Sequence, residues 1–436
     1  MPTFQTPRGT KDILPDDQKY WSYLAKIVSE KMEAFGAQKI ETPIFEYADL
    51  YIRAMGAGTD VIDKEMFEVR RAAGATPDEK DDQAKMMVLR PEYTAGIVRA
   101  YLQNGMATWP QPVKLWYFGP SFRYERPQAG RYRIFNQLGI EVIGDEDPLT
   151  DSAVIYLGWQ ILRAIGLEKK VSLDINSIGC SACRAKMKKK LVEYFQNFLP
   201  ELCPNCNRRF IENPLRILDC KEASCQRIIA GAPQLIDLLC QDCKTHFKQV
   251  LENLEILQIP YNLNPRLVRG LDYYTRTVFE IYPSADSNQS SSRTLIAGGR
   301  YDDLIKMYGG ISTPAIGWAA GVERIIEIIK ETDIQIKDEI ASDVCIVQVG
   351  DKARKVALPL ASKLEDEGIK TTFVLGKDSL KGQLRSAAKL GSPMCLIIGQ
   401  REVIDKTVII RDMNEASQET IRQDKLVDAL KEKLKK

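Results

Sequence analysis

Two anions that must react with each other need fixed positive charge between them. Arginine supplies it well, because the guanidinium stays ionised and forks onto paired oxygens. The sequence sets such arginines beside carboxylates in several short stretches. In FRYERPQAGRYRIFNQLGIEV, strand alternation puts Arg123 and Glu125 on one face, and Gln137, Gly139 and Glu141 on one face of the returning run. LVRGLDYYTRTVFE (residues 267–280) carries Arg269, Asp272, Arg276 and Glu280 among the β-forming residues of an expected strand, including Tyr273 and Tyr274. VLRPEYTAG holds Glu92 and Thr94 at the entry to a helix. AGGRYDDL sets two glycines before Arg300, where backbone can approach a ligand closely. PAIGWAAGVERI lines up Ala315, Gly317, Ala319, Ala320 and Gly321 ahead of Glu323 and Arg324, and reads as a turn followed by a helix. Each stretch alone also suits a solvated sheet face or tight packing. Together they outline a polar pocket.

A second group is sulfur. Of ten cysteines, eight fall between Cys180 and Cys243, as Cys180-x2-Cys183, Cys203-x2-Cys206, Cys220-x4-Cys225 and Cys240-x2-Cys243. Four thiolates suit tetrahedral zinc, and eight would fill two sites. Structural zinc, reduced free thiols and redox chemistry are all open from spacing. One arrangement joins the first pair to the last and the two middle pairs to each other; spacing does not fix it. The single histidine, His246, is expected at an ordinary position on an amphipathic helix, which removes histidine-triad and histidine-rich metal chemistry.

These residues need a scaffold, and the chain has the means to build one. It has 436 residues, 44% hydrophobic and 28% charged, which is globular composition with length for two to four domains. The net charge of +2 provides no global basic field, so a nucleic acid would have to be met by local patches. The opening MPTFQTPRGTKDILP lacks a signal-peptide pattern, and no apolar run is long enough for a membrane span. A cytoplasmic protein is expected. Helical periodicity marks residues 16–35, 91–105 and 148–165, and two alternating runs joined by QAGR predict a hairpin over 113–144. A further hairpin is expected at 66–90, with an exposed tip. Between 177 and 257 helices punctuated by cysteine pairs replace strands, as in an inserted module. After a polar connector at 331–342, strands and helices alternate through 343–436 as a βαβ array.

The stretches resemble the class II aminoacyl-tRNA synthetases. TPIFEYADLY, with Pro43, is similar to motif one, a dimer-interface element; FRYERPQAGRYRIFNQ to motif two; PAIGWAAGVERI to motif three. LVRGLDYYTRTVFE, AGGRYDDL and the opening PRGTKDILP resemble signatures of the histidyl members, and the similarity runs over essentially the whole chain. The resemblance implies a mixed α/β fold: an α+β catalytic core with an antiparallel sheet flanked by helices over 1–176 and 258–330, a helical insertion at 177–257, a linker at 331–342 and a C-terminal α/β anticodon-binding domain at 343–436. It implies a histidine–tRNA ligase that forms histidyl-adenylate from ATP and L-histidine, with Mg²⁺ accompanying the ATP, then loads tRNA(His), and works as a homodimer. The alternative is a synthetase-like regulatory subunit of histidine biosynthesis, a type that typically lacks the anticodon domain.

By the same resemblance Arg123 holds the α-phosphate, Glu125 the adenine amino group and Arg324 the γ-phosphate side. Arg269 stands near the α-phosphate and the substrate carboxylate; Arg269 and Arg123 are the expected catalytic cations. Glu92, Thr94 and Gln137 would bind the α-ammonium, Glu141 and Tyr274 the imidazole, and Tyr273 a wall of the pocket. Arg126 and Gln128 would reach the acceptor end of tRNA, and Lys377, Lys381 and Arg385 are candidates for phosphate contact. Many relatives lack the paired cysteines, and the activity needs no zinc. Tyr93 stands where the family usually has a small residue, which is harmless if its ring points outward. Arg276 and Glu280 have no assigned role and are expected to pair across the sheet.

Overall fold

The structure is a computed structural model. It describes all residues except 1–3, 56–60, 71–85, 128–129, 285–293, 333, 335, 337–341, 377–378 and 435–436. The chain divides into two compact units, residues 1–336 and 337–436. The expected tip of the 66–90 hairpin, Gln128 and Lys377 fall outside the described residues.

In the first unit the elements run α1 (Pro15–Ala34), β1 (Gln38–Lys39), β2 (Phe45–Tyr47), α2 (Ala48–Met55), β3 (Glu68–Val69), β4 (Met87–Leu89), α3 (Thr94–Gln103), β5 (Val113–Phe122), β6 (Ile134–Ile143), α4 (Pro148–Ala164) and β7 (Val171–Ser177). Then come α5 (Ser181–Phe195), α6 (Pro204–Glu212), α7 (Ala223–Ile229) and α8 (Gln241–Ile256). The unit closes with β8 (Asn262–Leu263), β9 (Thr275–Pro283), β10 (Ile296–Arg300), α9 (Leu304–Met307), β11 (Ala315–Gly321) and α10 (Val322–Glu331). An eight-stranded sheet, ordered β1-β5-β6-β11-β10-β9-β7-β8, is antiparallel throughout its centre. A small sheet, β2-β4-β3, stands apart from it.

One face of the large sheet is sealed by α1, α4, α8 and α10, through Leu24, Val28, Val154, Leu162, Val250 and Ile325. Each such side chain contributes about 1.5–3 kcal/mol by leaving water. α4 starts cleanly: Asp147 accepts from the Leu149 N–H, and Pro148 takes the first turn, where no N–H partner is needed. A charged cluster pins this layer to the strands. Asp151 of α4 is fully buried, accepts from Thr277 Oγ1 and pairs with Arg300 at the end of β10. His246 of α8 faces the same carboxylate at 3.6 Å, and burial, its largest cause, pushes its pKa down to about 4, so it is neutral at physiological pH. It lies on an amphipathic helix as expected, on its buried side.

Two expected elements differ. Residues 267–274 form turns rather than strand, and β9 begins only at Thr275. Positive φ at Arg276 (48°) marks the bend, where its backbone exchanges hydrogen bonds with Ile178 and Gly179. PAIGWAAG forms β11, not a turn, because small residues let it lie fully flanked between β6 and β10.

The second unit contains β12 (Val344–Gln348), α11 (Asp351–Asp366), β13 (Thr371–Phe373), α12 (Leu380–Leu390), β14 (Met394–Ile398), α13 (Gln400–Asp405), β15 (Thr407–Asp412), β16 (Gln418–Arg422) and α14 (Leu426–Leu434). Its sheet order is β13-β12-β14-β15-β16. The βαβ reading holds for the first three strands, which are parallel; β15 and β16 add an antiparallel hairpin. Among the described helices none is long and apolar enough to cross a membrane.

Candidate active site

The open face of the large sheet carries a cavity of about 250 Å³. Its lining includes Glu92, Thr94, Arg123, Glu125, Gln137, Glu141, Arg269, Tyr273, Tyr274 and Arg324, so five separate stretches of sequence converge there. Its floor is β6 and β11. Gly317 stands opposite Glu141 across that pairing, and a Cβ on Gly317 would lie 1.9 Å from a Glu141 carboxylate oxygen. Glycine is required because the carboxylate occupies the space of a side chain.

Glu141 is 1% exposed. Thr94 Oγ1 donates to its Oε1 at 2.8 Å, and the Tyr301 hydroxyl donates to its Oε2. Burial pushes its pKa up to about 8; the two hydroxyl donors counteract this, and neighbouring Glu92 adds to the rise. Glu92 begins α3 by accepting from the Thr94 and Ala95 N–H groups at 2.8 and 2.9 Å, and burial raises its pKa too. Gln137 Oε1 accepts from Ser121 Oγ at 2.9 Å. This end of the cavity is therefore rich in acceptors already aimed by the fold, and suits a small donor-rich ligand.

The other end is cationic. Arg123 is held by Nε donating to the Pro91 carbonyl at 3.0 Å, with Glu125 3.8 Å from its Nη1. Arg324, in the first turn of α10, donates to the carbonyls of Gly130 and Thr294 at 3.1 and 2.8 Å. Its pKa is lowered by burial and then by nearby Arg131. Arg269 pairs through Nη1 with Glu280, and its buried Nε has no hydrogen-bond partner among the described residues. Burial works to lower its pKa, but Glu280 and the two tyrosines leave it raised. Beyond burial, Arg131 and Arg123 lie near enough to Arg324 to lower its pKa, so an anion entering this end is favoured.

Glu280 thus pairs with Arg269 and accepts from Thr294, while Arg276 pairs with Asp302 at 3.6 Å; they do not pair with each other. Arg300, expected where backbone nears a ligand, is wholly structural. Tyr93 does not point outward. Its ring is buried, stacks on Tyr117 at 4.2 Å and sits under Arg90, outside the cavity lining. Arg126 is exposed beside the cavity, not in it. Tyr301, Arg131 and Ser121 were not singled out from the sequence. Tyr301 follows the Gly-Gly-Arg of a stretch already in view, and a buried tyrosine needs a partner for its hydroxyl.

The cysteines lie elsewhere. None lines the cavity; they form two groups, Cys180, Cys183, Cys240 and Cys243, and Cys203, Cys206, Cys220 and Cys225. None is in a disulfide among the described residues.

An antiparallel sheet with arginines and carboxylates converging on its open face, together with a separate α/β unit, matches what the resemblance to the class II aminoacyl-tRNA synthetases implies. A family model described as Histidyl-tRNA synthetase matches residues 9–183 and 224–325, and one described as Anticodon binding domain matches 343–433. The chain is 42% identical over 99% of its length to a histidine–tRNA ligase of Dehalococcoides mccartyi, all of which is covered. It is 42% identical over 98% of its length to one of Pelotomaculum thermopropionicum, 97% of which is covered. The crystal structure of the apo S. aureus histidyl-tRNA synthetase superposes with a TM-score of 0.80 at 36% identity, covering 98% of this chain and all of that one. The chain belongs to the histidyl-tRNA synthetase family.

Proposed function

We propose that this chain is a histidine–tRNA ligase: it activates L-histidine with ATP and transfers it to the 3′ end of tRNA(His). The observation that carries this is the division of one cavity into a buried acceptor end, built on Glu141, and a three-arginine end.

The imidazole binds between Glu141 and Tyr274, with Tyr273 as a wall, and the α-ammonium is accepted by Glu92, Thr94 and Gln137. Glu141, held largely protonated by burial in the free protein, can donate to a ring nitrogen or, once ionised, accept from a ring N–H. A site that hydrogen-bonds both ring nitrogens rejects apolar analogues by about 10⁴-fold or more, so the reaction needs no editing site. ATP lies along the arginines: Glu125 takes the adenine amino group, Arg123 the α-phosphate and Arg324 the γ-phosphate side. Mg²⁺ accompanies ATP on its phosphates. The histidine carboxylate attacks the α-phosphorus, the bond to the β-phosphate oxygen breaks, and diphosphate leaves. Arg269 and Arg123 stabilise the charge on the α-phosphate as it passes through the transition state. Glu280 holds Arg269 ready, and the Nε of Arg269, without a partner among the described residues, is a donor for an incoming anion. The 3′-terminal hydroxyl of tRNA then attacks the acyl carbon and AMP leaves.

Arg126 and Gln128 contact the acceptor end of the tRNA. Lys381 and Arg385, exposed one turn apart on α12, meet phosphate in the second unit. Homodimerisation is supported by the exposed apolar strip of Ile44, Phe45, Tyr47 and Ile52 in the motif-one region. Zinc enters this reading only as a structural ion at the insertion cysteines, which touch none of the reacting groups.

ATP–diphosphate exchange with each of the twenty amino acids tests the proposal. Exchange that depends on histidine is expected; exchange that peaks with another amino acid, or fails with histidine, overturns it.

A further inference from the structure

We infer that the insertion holds two zinc ions, each bound by four cysteine thiolates, and that the first of them fixes the base of the loop carrying Arg269 and Tyr274. The ion at each centre follows from sulfur geometry. Cys180 Sγ and Cys183 Sγ are 3.7 Å apart, and Cys203 Sγ and Cys220 Sγ 3.8 Å. A disulfide needs about 2.05 Å. Four sulfurs at about 2.3 Å from a tetrahedral zinc have edges of about 3.8 Å. Within each group all four sulfurs lie within 4.8 Å of one another, which leaves room for a single ion. The groups join the first pair to the last and the two middle pairs, so residues distant in sequence meet as ligands.

The backbone supplies what thiolates need. Cys180, Cys203 and Cys240 each cap the N-terminus of a helix, α5, α6 and α8, and each has its paired cysteine three residues on, in the first turn. Backbone N–H groups donate to sulfur across the pairs: Cys180 to Cys243 at 3.3 Å, Cys240 to Cys183 at 3.1 Å, and Cys203 to Cys225 at 3.3 Å. Donors aimed at sulfur, at the positive ends of helices, stabilise anionic ligands. Gly179 makes the first turn possible; its φ is +71°, and a Cβ there would lie 2.4 Å from that of Cys183. Five of the eight cysteines are buried, so four thiols clustered without a metal would bring together sulfurs with little else to bind. On binding, zinc displaces their protons to solvent.

The first centre joins parts that apolar packing leaves thin, a small cluster of Cys183, Leu239 and Cys243. The second links α6 and α7 to the turn at Cys220, within the main apolar core beside Leu202, Ile217 and Ile228. The first links the starts of α5 and α8 beside the pocket wall. Gly179, next to Cys180, accepts from the Arg276 N–H at 2.9 Å, and Arg184, next to Cys183, donates to the Tyr274 carbonyl at 3.1 Å.

Elemental analysis of the full-length protein, purified under reducing conditions without chelator from zinc-supplemented cells, tests this. Two zinc ions per chain are expected. Cys243→Ser and Cys206→Ser are each expected to retain one. If a variant does not fold, the wild-type chain still decides: a mercurial reagent is expected to release one zinc for every four thiols it captures. Arg184→Ala is expected to keep both ions and to raise KM for histidine roughly tenfold, the effect of one lost charged hydrogen bond; an unchanged KM removes the link to the pocket. Zinc below about 0.2 per chain with all eight thiols reactive in the native protein, or iron in place of zinc, overturns the assignment. A zinc-free chain that activates histidine would sink this inference and spare the functional reading; a zinc-loaded chain that activates nothing would do the reverse.

Discussion

Residues 1–336 bury a handful of their charges, and residues 337–436 display theirs. In the first unit Arg90, Asp151 and Arg300 are fully enclosed, and Glu92, Glu141 and Glu323 nearly so. In the second, no described Asp, Glu, Lys or Arg is buried, and its ion pairs, such as Arg401–Asp405 and Arg422–Asp424, lie in solvent. The second unit closes a core from Val344, Ile346, Leu364, Leu396 and Ile410 without any of this. Burying an ion costs several kcal/mol unless it is well partnered, so packing alone does not call for it. The enclosed charges of the first unit fall into two kinds. Some, like Asp151 with Arg300, are fully matched and hold strands in place. Others, like Glu141 and, half-buried beside it, the three cavity arginines, line the cavity and are left incomplete, as a ligand site would require.

The largest expected effect tests the matched kind. Asp151→Asn leaves the buried Arg300 with only Asp302, 3.3 Å away, as counter-charge and is expected to destabilise the first unit by about 3 kcal/mol in denaturant unfolding; a loss below about 1 kcal/mol would break the distinction. Next comes the incomplete kind. Arg269→Lys keeps the charge but loses the fork, and is expected to lower the rate of histidine activation about 10²–10³-fold while changing histidine binding far less, measured by single-turnover adenylate formation.

A smaller effect concerns pH. The pKa of Glu141 is raised to about 8 in the folded, ligand-free protein, well above an ordinary carboxylate, so between those values the folded state holds a proton that the unfolded chain has released. Stability should therefore fall as pH rises through that window and level off above it. Glu141→Gln is expected to make the slope shallower in urea titrations, leaving the parts due to the other acids that burial raises, Glu92 and Glu323 among them; an unchanged slope would show that Glu141 is not the main buried acid. The smallest effect belongs to the displayed charges: Arg401→Ala is expected to leave the unfolding midpoint within error, as surface pairs usually do.

The sequence makes the paired strands plain where alternation and burial agree, as in β5 and β6, and it makes the pocket residues nameable because arginines and carboxylates in strand surroundings are conspicuous. It misleads where tertiary context overrides propensity. Residues 267–274 are rich in β-formers, yet they turn, because Arg269 has to fold back beside Glu280. β11 looks like a turn because Gly and Ala are poor strand formers, yet the missing side chain at Gly317 is what lets Glu141 fit beside it. The edge strand β16, QETIR, is polar and mostly exposed, and gave no apolar alternation to read. Tyr301 was hidden in the same way: its role depends on Glu141, 160 positions away in the chain.

The bare floor at Gly317 has a consequence for how this pocket could change over evolutionary time. Ligand pockets are commonly retuned by trimming a large side chain to admit a bigger substrate. At this position there is nothing to trim, and every available substitution adds atoms where the Glu141 carboxylate already sits. From that side the pocket can only contract. On the proposed reading, in which Glu141 holds the imidazole, point mutations there would abolish histidine recognition without redirecting it toward a bulkier amino acid, so the same glycine that admits the acid would also narrow the routes by which the genetic code could drift at this enzyme.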